Sequence, residues 1–371
     1  FNFGSRMSDL TYPFKNGPEP GELIEVAQGV YWLQMPLPMS LKFINLYVIE
    51  DDDGWNIIDT GLRGDDTRQL WLQIFERYFS QKPVKQIICT HMHPDHTGQA
   101  GFLQQHWQAP LLMSYAEYYQ ARVMAMQMQD GNHWQISEHF IRNGIEQSFL
   151  DELRDMKSSF SPQPEDHPLP ASFIRLEDGQ TLQLGGTSWQ IVTGTGHSPD
   201  HVCLYSPDLR VLISGDQVLP IITSNVSVYP TEPQANPLKG WIASHEKLRE
   251  LLPNDLLVLP AHNLPFYGLH ERLQELIDHH EDRMLIIEEA CITPQSGVDL
   301  LPLLFNRKLE GPTKIMALGE CIAHLHCLMD RMKISQEFDG SQYWYRSIAP
   351  DLTERARPGE HPTPDDEPIM V

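Results

Sequence analysis

Apolar residues recur along the chain first at strand spacing, then at helical spacing, then at strand spacing again. The early runs "GVYWLQMP" and "FINLYVIEDDDGWNIIDTG" are rich in β-branched and aromatic residues, and "EDDDG" between them reads as a hairpin turn. "WNIID" reads as a buried strand that ends at Asp59, where Thr60-Gly61 turns the chain. Across "DDTRQLWLQIFERYF", Leu70, Ile74 and Phe75 fall on one helical face, and Asp65-Asp66 sits where a helix start favours negative charge. "VKQIICT" reads as the next strand. Hairpin, strand, helix and strand in succession predict a layered α/β fold.

Residues 111–170 change character: their period is mostly helical, they are rich in Met and aromatics, and they end in the Pro-rich "SPQPEDHPLP". This helical insert reads either as a layer packed on the sheet, with Met filling gaps, or as a cap over the mouth of a site that lines an adaptable apolar pocket. Short strands return over 173–215, followed by a helical stretch near "PLKGWIASHEKLRELLP" and the strand "DLLVLPAH". The second half thus repeats the first, which predicts two sheets packed face to face with helices outside. Beyond residue 269, "LHERLQELIDHHEDRMLIIEEAC" reads as an amphipathic helix with His279 and His280 on a solvated face. Two further helical runs and the hairpin "KISQEFDGSQYWYRSI" complete a winged-helix-like module over 269–348. Residues 349–371 are Pro-rich and charged and read as a disordered tail, and "FNFGSRM" at 1–7 reads as a cloning remnant left out of the fold reasoning.

Charge narrows the partners. The net charge of −23 counts against nucleic acid, which requires clustered Lys and Arg, and against anionic lipid surfaces. The five cysteines are widely spaced with no CxxC, which points to reduced thiols rather than a disulfide framework. No apolar run is long enough for a membrane span and no secretory pattern opens the chain, so a cytoplasmic protein without a membrane partner is expected.

The candidate chemistry lies in "THMHPDHTG", residues 90–98. In an extended segment His91 and His93, two apart, point to the same side and can face one ion. Asp95 and His96 follow where the chain turns into a helix and can address a second ion. Imidazole and carboxylate suit borderline divalent ions such as zinc, whereas closed structural zinc sites are usually Cys-rich; a His and Asp set therefore reads as catalytic. Distant partners are His197 in "GTGHSPDH", Asp216 in "LISGDQ" and His262 in "VLPAHN", each just after a predicted strand.

These motifs, in this order, resemble the metallo-β-lactamase fold superfamily: HxHxDH, then His, Asp and His, with "DTG" at 59–61 matching its early Asp motif. The resemblance covers residues 20–268 and implies a four-layer αβ/βα sandwich with the site at one edge of the sheets. It implies that His91, His93 and His197 hold one ion, that Asp95, His96 and His262 hold another, and that Asp216 bridges them. This glyoxalase II-like binuclear set differs from true β-lactamases, which commonly carry Cys at the bridging position. Zinc is the expected metal, with iron or manganese also accommodated. Asp59 would orient a ligand histidine from behind. Asp95 and Asp216 would orient a hydroxide shared by the two ions. His201 reads either as a pocket residue contacting substrate or as a helix cap. Asn225 and Tyr229, in "TSNVSVYP", read as substrate contacts or as ordinary loop residues. The "HLH" at 324–326 is discounted as a ligand pair, because residues two apart on a helix diverge.

The C-terminal module resembles the winged-helix appendage of the β-lactamase-like protein 2 group and could serve in a homodimer or in pocket closure. The expected activity is hydrolysis of a small-molecule ester or thioester, with an acyl part suggested by the Met-rich insert. A glutathione thioester is disfavoured, since the module does not look like glyoxalase II's helical domain. The alternatives are a single-strand endoribonuclease, disfavoured by the acidic balance, and a mononuclear iron dioxygenase-type member, disfavoured by the second ligand set.

Overall fold

The computed structural model describes residues 10–38, 41–130, 134–155 and 168–348. The readings of 1–7 as a remnant and of 349–371 as a tail lie outside the described residues, as do most of the "SPQPEDHPLP" connector and the side chains of Met126 and Met128.

Strands β1 (Ile24–Ala27), β2 (Val30–Pro36), β3 (Phe43–Asp51) and β4 (Gly54–Ile58) form an antiparallel meander. The β3–β4 turn is the predicted Asp-rich hairpin. Helix α1 (Asp65–Tyr78) buries Trp71, Ile74 and Phe75 and leads into β5 (Val84–Ile88), which pairs parallel to β4. The short α2 (Pro94–Thr97) and α3 (Ala100–Trp107) follow, then β6 (Leu111–Ser114), helices α4 (Tyr115–Asp130), α5 (Trp134–Arg142) and α6 (Gln147–Asp155), and β7 (Ile174–Leu176). These strands make a seven-stranded sheet in sequence order.

A second, five-stranded sheet runs β12-β11-β10-β9-β8. It comprises β8 (Thr181–Leu184), β9 (Thr187–Gly194), β10 (His201–Ser206), β11 (Val211–Gly215) and β12 (Leu257–Pro260), with α7 (Pro237–Leu251) crossing between β11 and β12. Both sheets begin antiparallel and end parallel.

Side chains from both sheets, including Trp32, Ile58, Ile88, Trp189, Leu204 and Ile213, fill the layer between them. Trp71, Ile74 and Phe102 cover the outer face of the first sheet, and Leu248, Leu269 and Leu273 that of the second. This is the expected αβ/βα sandwich. Polar bonds close it at one edge: Tyr47 Oη and Asn45 Nδ2 donate to the Pro260 carbonyl at 2.8 and 2.9 Å, and the Val202 N–H donates to the Thr90 carbonyl at 2.8 Å.

Helices α8 (Leu269–Ala290), α9 (Gly297–Leu304) and α10 (Pro312–Asp330) precede the hairpin β13 (Ile334–Phe338) and β14 (Tyr343–Ser347). They share one apolar core with Leu238 and Trp241 of α7 and Phe140 and Leu150 of the insert. The insert's α5 and α6 therefore pack on the C-terminal helices rather than on a sheet. The Val298 N–H donates to the Asn143 carbonyl at 3.2 Å, and Tyr345 Oη donates to Asn143 Oδ1 at 3.1 Å. The expected solvated face at His279 and His280 is corrected: the two residues are 8% and 0% exposed, because α8 is sandwiched between α7 and α10.

Candidate metal centre

Strand ends deliver every expected ligand to one place. Asp59 follows β4, His91 to His96 follow β5, His197 follows β9, Asp216 follows β11 and His262 follows β12. Each lies past the carboxyl end of its strand, where α/β sheets characteristically bind ligands. All are buried.

Two clusters of ligand atoms form. His91, His93, His197 and Asp216 make one, and Asp95, His96 and His262 the other, with the atoms of each lying within 4.8 Å of one another. In the first, His91 Nε2 lies 2.8 Å from His93 Nδ1 and 3.2 Å from His197 Nε2, which stands 3.4 Å from Asp216 Oδ2. In the second, Asp95 Oδ2 is 3.6 Å from His96 Nε2 and 3.5 Å from His262 Nε2. Asp216 also joins this cluster, with Oδ2 3.4 Å from His96 Nε2 and Oδ1 3.5 Å from His262 Nε2. A tetrahedral ion with ligand bonds of about 2.0–2.1 Å separates its ligand atoms by about 3.3 Å. The spacings match that edge length. Moreover, His96 Nε2, His262 Nε2 and Asp216 Oδ1 are buried with no hydrogen-bond partner among the described residues. Buried polar atoms left so are costly unless something binds them. The residues fit divalent metal ions.

The opposite ring nitrogens determine which lone pair points inward. His96 Nδ1 donates to Asp59 Oδ2 at 2.8 Å, His197 Nδ1 to the Asn225 carbonyl at 2.7 Å, and His262 Nδ1 to the Phe43 carbonyl at 3.3 Å. An N–H committed to an oxygen leaves Nε2 as the lone-pair atom. His93 is reversed: its Nδ1 faces the cluster, and its Nε2 lies 3.5 Å from Tyr229 Oη. Asp59 also takes the Thr90 N–H at 2.8 Å and the Thr90 hydroxyl at 2.9 Å.

Electrostatics divides the histidines. Burial, reinforced by the imidazoles of His96, His93 and His201, pulls His91 well below the usual range, and burial beside His197 pulls His93 down to about 3. These two stay neutral, as ligands must. Burial also opposes charge on His96, but Asp59, Asp95 and Asp216 outweigh it and hold His96 well above its ordinary value. Burial pushes Asp216 upward, yet His96 and His262 hold it well below the usual carboxylate range. Asp216 and Asp95 likewise outweigh burial at His262 and raise it above its ordinary value.

The three further residues proposed for substrate behave differently. His201 is corrected: it is 0% exposed and begins β10, so it neither lines an open pocket nor caps a helix. Its Nε2 accepts the Asp216 N–H at 3.1 Å, which places it behind the Asp216 backbone. Asn225 is buried and contributes its carbonyl to His197, while its Oδ1 accepts the Ser227 hydroxyl at 2.5 Å. Tyr229 remains half-buried at the site. Sequence reasoning missed Thr90, which contacts Asp59, His91 and His96 together. It also missed the Phe43 and Asn225 carbonyls, which carry no residue-type signal.

A two-sheet αβ/βα sandwich with His and Asp clusters at the strand ends defines a metallohydrolase architecture. Residues 40–262 match the family model described as metallo-beta-lactamase superfamily, and residues 285–347 match the model for the metallo-beta-lactamase-like C-terminal domain. The chain belongs to the metallo-beta-lactamase superfamily and is a metal-dependent hydrolase. A solved beta-lactamase domain protein from Burkholderia ambifaria is similar at 37% identity and TM-score 0.84, covering 91% of this chain and 98% of that one. A linear primary-alkylsulfatase from Pseudomonas sp. is 26% identical over 82% of this chain, and the match spans 57% of the alkylsulfatase. The acyl-coenzyme A thioesterase MBLAC2 of Homo sapiens is 26% identical over 37% of this chain and 47% of its own length. Among the described residues, no helix is long and apolar enough to cross a membrane.

Proposed function

We propose that the chain hydrolyses a small-molecule ester or thioester carrying an apolar group, at a centre of two divalent ions, zinc foremost. The observation that carries the reading is the sharing of Asp216, whose Oδ2 lies 3.4 Å from His197 Nε2 of one set and from His96 Nε2 of the other, with Oδ1 3.5 Å from His262 Nε2. Divalent ions held there supply Lewis acidity, lowering the pKa of water and polarising the scissile bond. His91, His93 and His197 would hold one ion, and Asp95, His96 and His262 the other. The Asp95 and Asp216 carboxylates orient the attacking water through hydrogen bonds to its protons. Tyr229 Oη, beside His93, is placed to donate to the substrate's developing negative charge. Phe43, whose carbonyl meets His262 Nδ1, carries a ring that is 37% exposed and available to an apolar group of the substrate.

The thioesterase among the relatives supports a thioester. The alkylsulfatase, similar over 82% of this chain, favours a second reading in which the substrate is an alkyl sulfate ester. Both readings share an apolar tail and an ester-type leaving group.

The test is a hydrolysis panel of acyl thioesters, carboxylic esters, lactones, alkyl sulfates, phosphodiesters and β-lactams, with metal content measured on the same preparations. Two ions per chain with preferred turnover of acyl thioesters or esters is expected. Preferred turnover of alkyl sulfates moves the assignment to the second reading. A single iron per chain with no hydrolysis overturns both.

A further inference from the structure

Helix α4 begins directly after β6, and Glu117 in its first turn is fully buried. Its Oε2 accepts the Met92 N–H at 2.9 Å, and its Oε1 accepts the Asp200 N–H at 2.6 Å. Met92 lies between His91 and His93, on the loop after β5. Asp200 lies just past His197, on the loop after β9. These loops leave different sheets, so one carboxylate ties the two halves of the sandwich together at the metal centre. Ser114, at the end of β6, adds a second tie by donating its hydroxyl to the Asp200 carbonyl at 2.7 Å. The β6–α4 junction therefore holds both the N–H and the C=O of Asp200, fixing the two peptide groups that flank this residue of the His197 loop.

Burying a carboxylate is costly. Desolvation pushes Glu117 up to about 7, against the pull of its hydrogen-bond donors. An apolar residue there would avoid that cost but leave two buried amide N–H groups unpaired, which is itself costly. Glutamate satisfies both with one side chain. The loops it joins carry all three histidines of one cluster. By contrast, His96 and His262 of the other cluster are oriented by Asp59 and the Phe43 carbonyl, which Glu117 does not touch.

We propose that Glu117 is a positioning residue for one ion only: it sets the separation of the His91–His93 loop from the His197 loop, and so the affinity of that ion. The inference rests on the two-ion reading above for what the histidines hold.

The test compares wild type with Glu117→Gln, Glu117→Asp and, as a structural control on the same helix, Tyr118→Phe, which loses the 2.7 Å bond from its hydroxyl to the Pro170 carbonyl. Zinc and cobalt are titrated into metal-free protein against a competing chelator, and cobalt absorption bands distinguish the two clusters. Folding is checked by circular dichroism. Glutamine keeps the shape but turns a donor towards one of the two N–H groups. The expected result is a 10–100-fold weaker ion at the His91/His93/His197 cluster, the scale found when outer partners of ligands are changed. The Asp95/His96/His262 cluster should be unaffected, Glu117→Asp intermediate and Tyr118→Phe unchanged. Equal affinities in wild type and Glu117→Gln, or equal weakening of both clusters, would overturn the role while leaving the two-ion reading intact. If Glu117→Gln fails to fold, Glu117→Asp decides on the same criteria. A wild-type chain that binds no divalent ion overturns the two-ion reading and this inference together.

Discussion

His96 Nδ1 donates to Asp59 Oδ2 at 2.8 Å, and Asp59 reaches it from a left-handed backbone with φ 61°. Asparagine tolerates that backbone, so Asp59→Asn should fold. Its amide, however, can offer only one oxygen where the carboxylate serves both Thr90 and His96. With an NH₂ facing Nδ1, the proton moves to Nε2 and the lone pair leaves the cluster. The expected outcome is a 10–100-fold loss of metal affinity at the Asp95/His96/His262 cluster. A chelator competition titration checks it, and unchanged affinity would show that Asp59 does not set the tautomer.

The site was legible because each ligand sits in a short polar motif directly behind an apolar strand-length run. Burial there has no bland explanation, and the "THMHPDHTG" loop announced two clusters by its own spacing. What lay hidden acts through the backbone or through single residues. Phe43 and Asn225 contribute carbonyls, and Glu117 is one acid in a segment read for its Met and aromatic content. Helix α8 misled for a different reason. A helical pattern with one apolar stripe suggests one buried face, but α8 is covered by both α7 and α10 and also buries Arg272, Arg283 and Glu288. Arg272 is accommodated because its Nε and Nη2 donate to the Leu219 and Ile222 carbonyls at 2.6 and 2.9 Å. Such partners come from distant loops and leave no periodic trace.

Gly215 should not accept a side chain. Its φ is 52°, and a Cβ there would stand 2.6 Å from both Cε1 and Nε2 of His201. His201 in turn accepts the Asp216 N–H. Gly215→Ala should therefore lose about 1–3 kcal/mol to crowding and about 1 kcal/mol more to the left-handed backbone. Because the displaced imidazole supports Asp216, metal content should fall with stability. Calorimetry and elemental analysis on one preparation test both, and a variant with wild-type Tm would refute the crowding argument.

Acid should weaken the α7–α10 region through its buried imidazoles. His245 is fully buried, and burial pulls it down to about 4 against the Trp241 carbonyl that accepts from Nδ1. Its folded pKa lies below its unfolded value of about 6.5. Between those values the unfolded chain takes up a proton that the folded chain refuses, so stability is full above about 6.5 and falls as pH drops towards 4. The slope is up to about 1.4 kcal/mol per pH unit per histidine. Denaturant unfolding of metal-free protein across that window should give a slope about one proton shallower for His245→Leu than for wild type. Parallel curves would mean that His245 titrates normally.

Asp216 and His262 allow a comparison that separates shared from private ligands. Asp216 Oδ2 faces His197 and His96, and its Oδ1 faces His262, so it belongs to both clusters. His262 lies near Asp95 and Asp216 but is absent from the His91/His93/His197 cluster. Asp216→Ala should therefore weaken both ions together, and hydrolysis should drop at least about 10²–10³-fold, the scale of losing a preorganised electrostatic group. His262→Ala should release one ion and keep the other. Metal-to-protein ratios after gel filtration read the difference directly: near zero for Asp216→Ala and near one for His262→Ala. Two ions retained by Asp216→Ala would mean that the clusters are independent, and the shared carboxylate would lose its place in the chemistry.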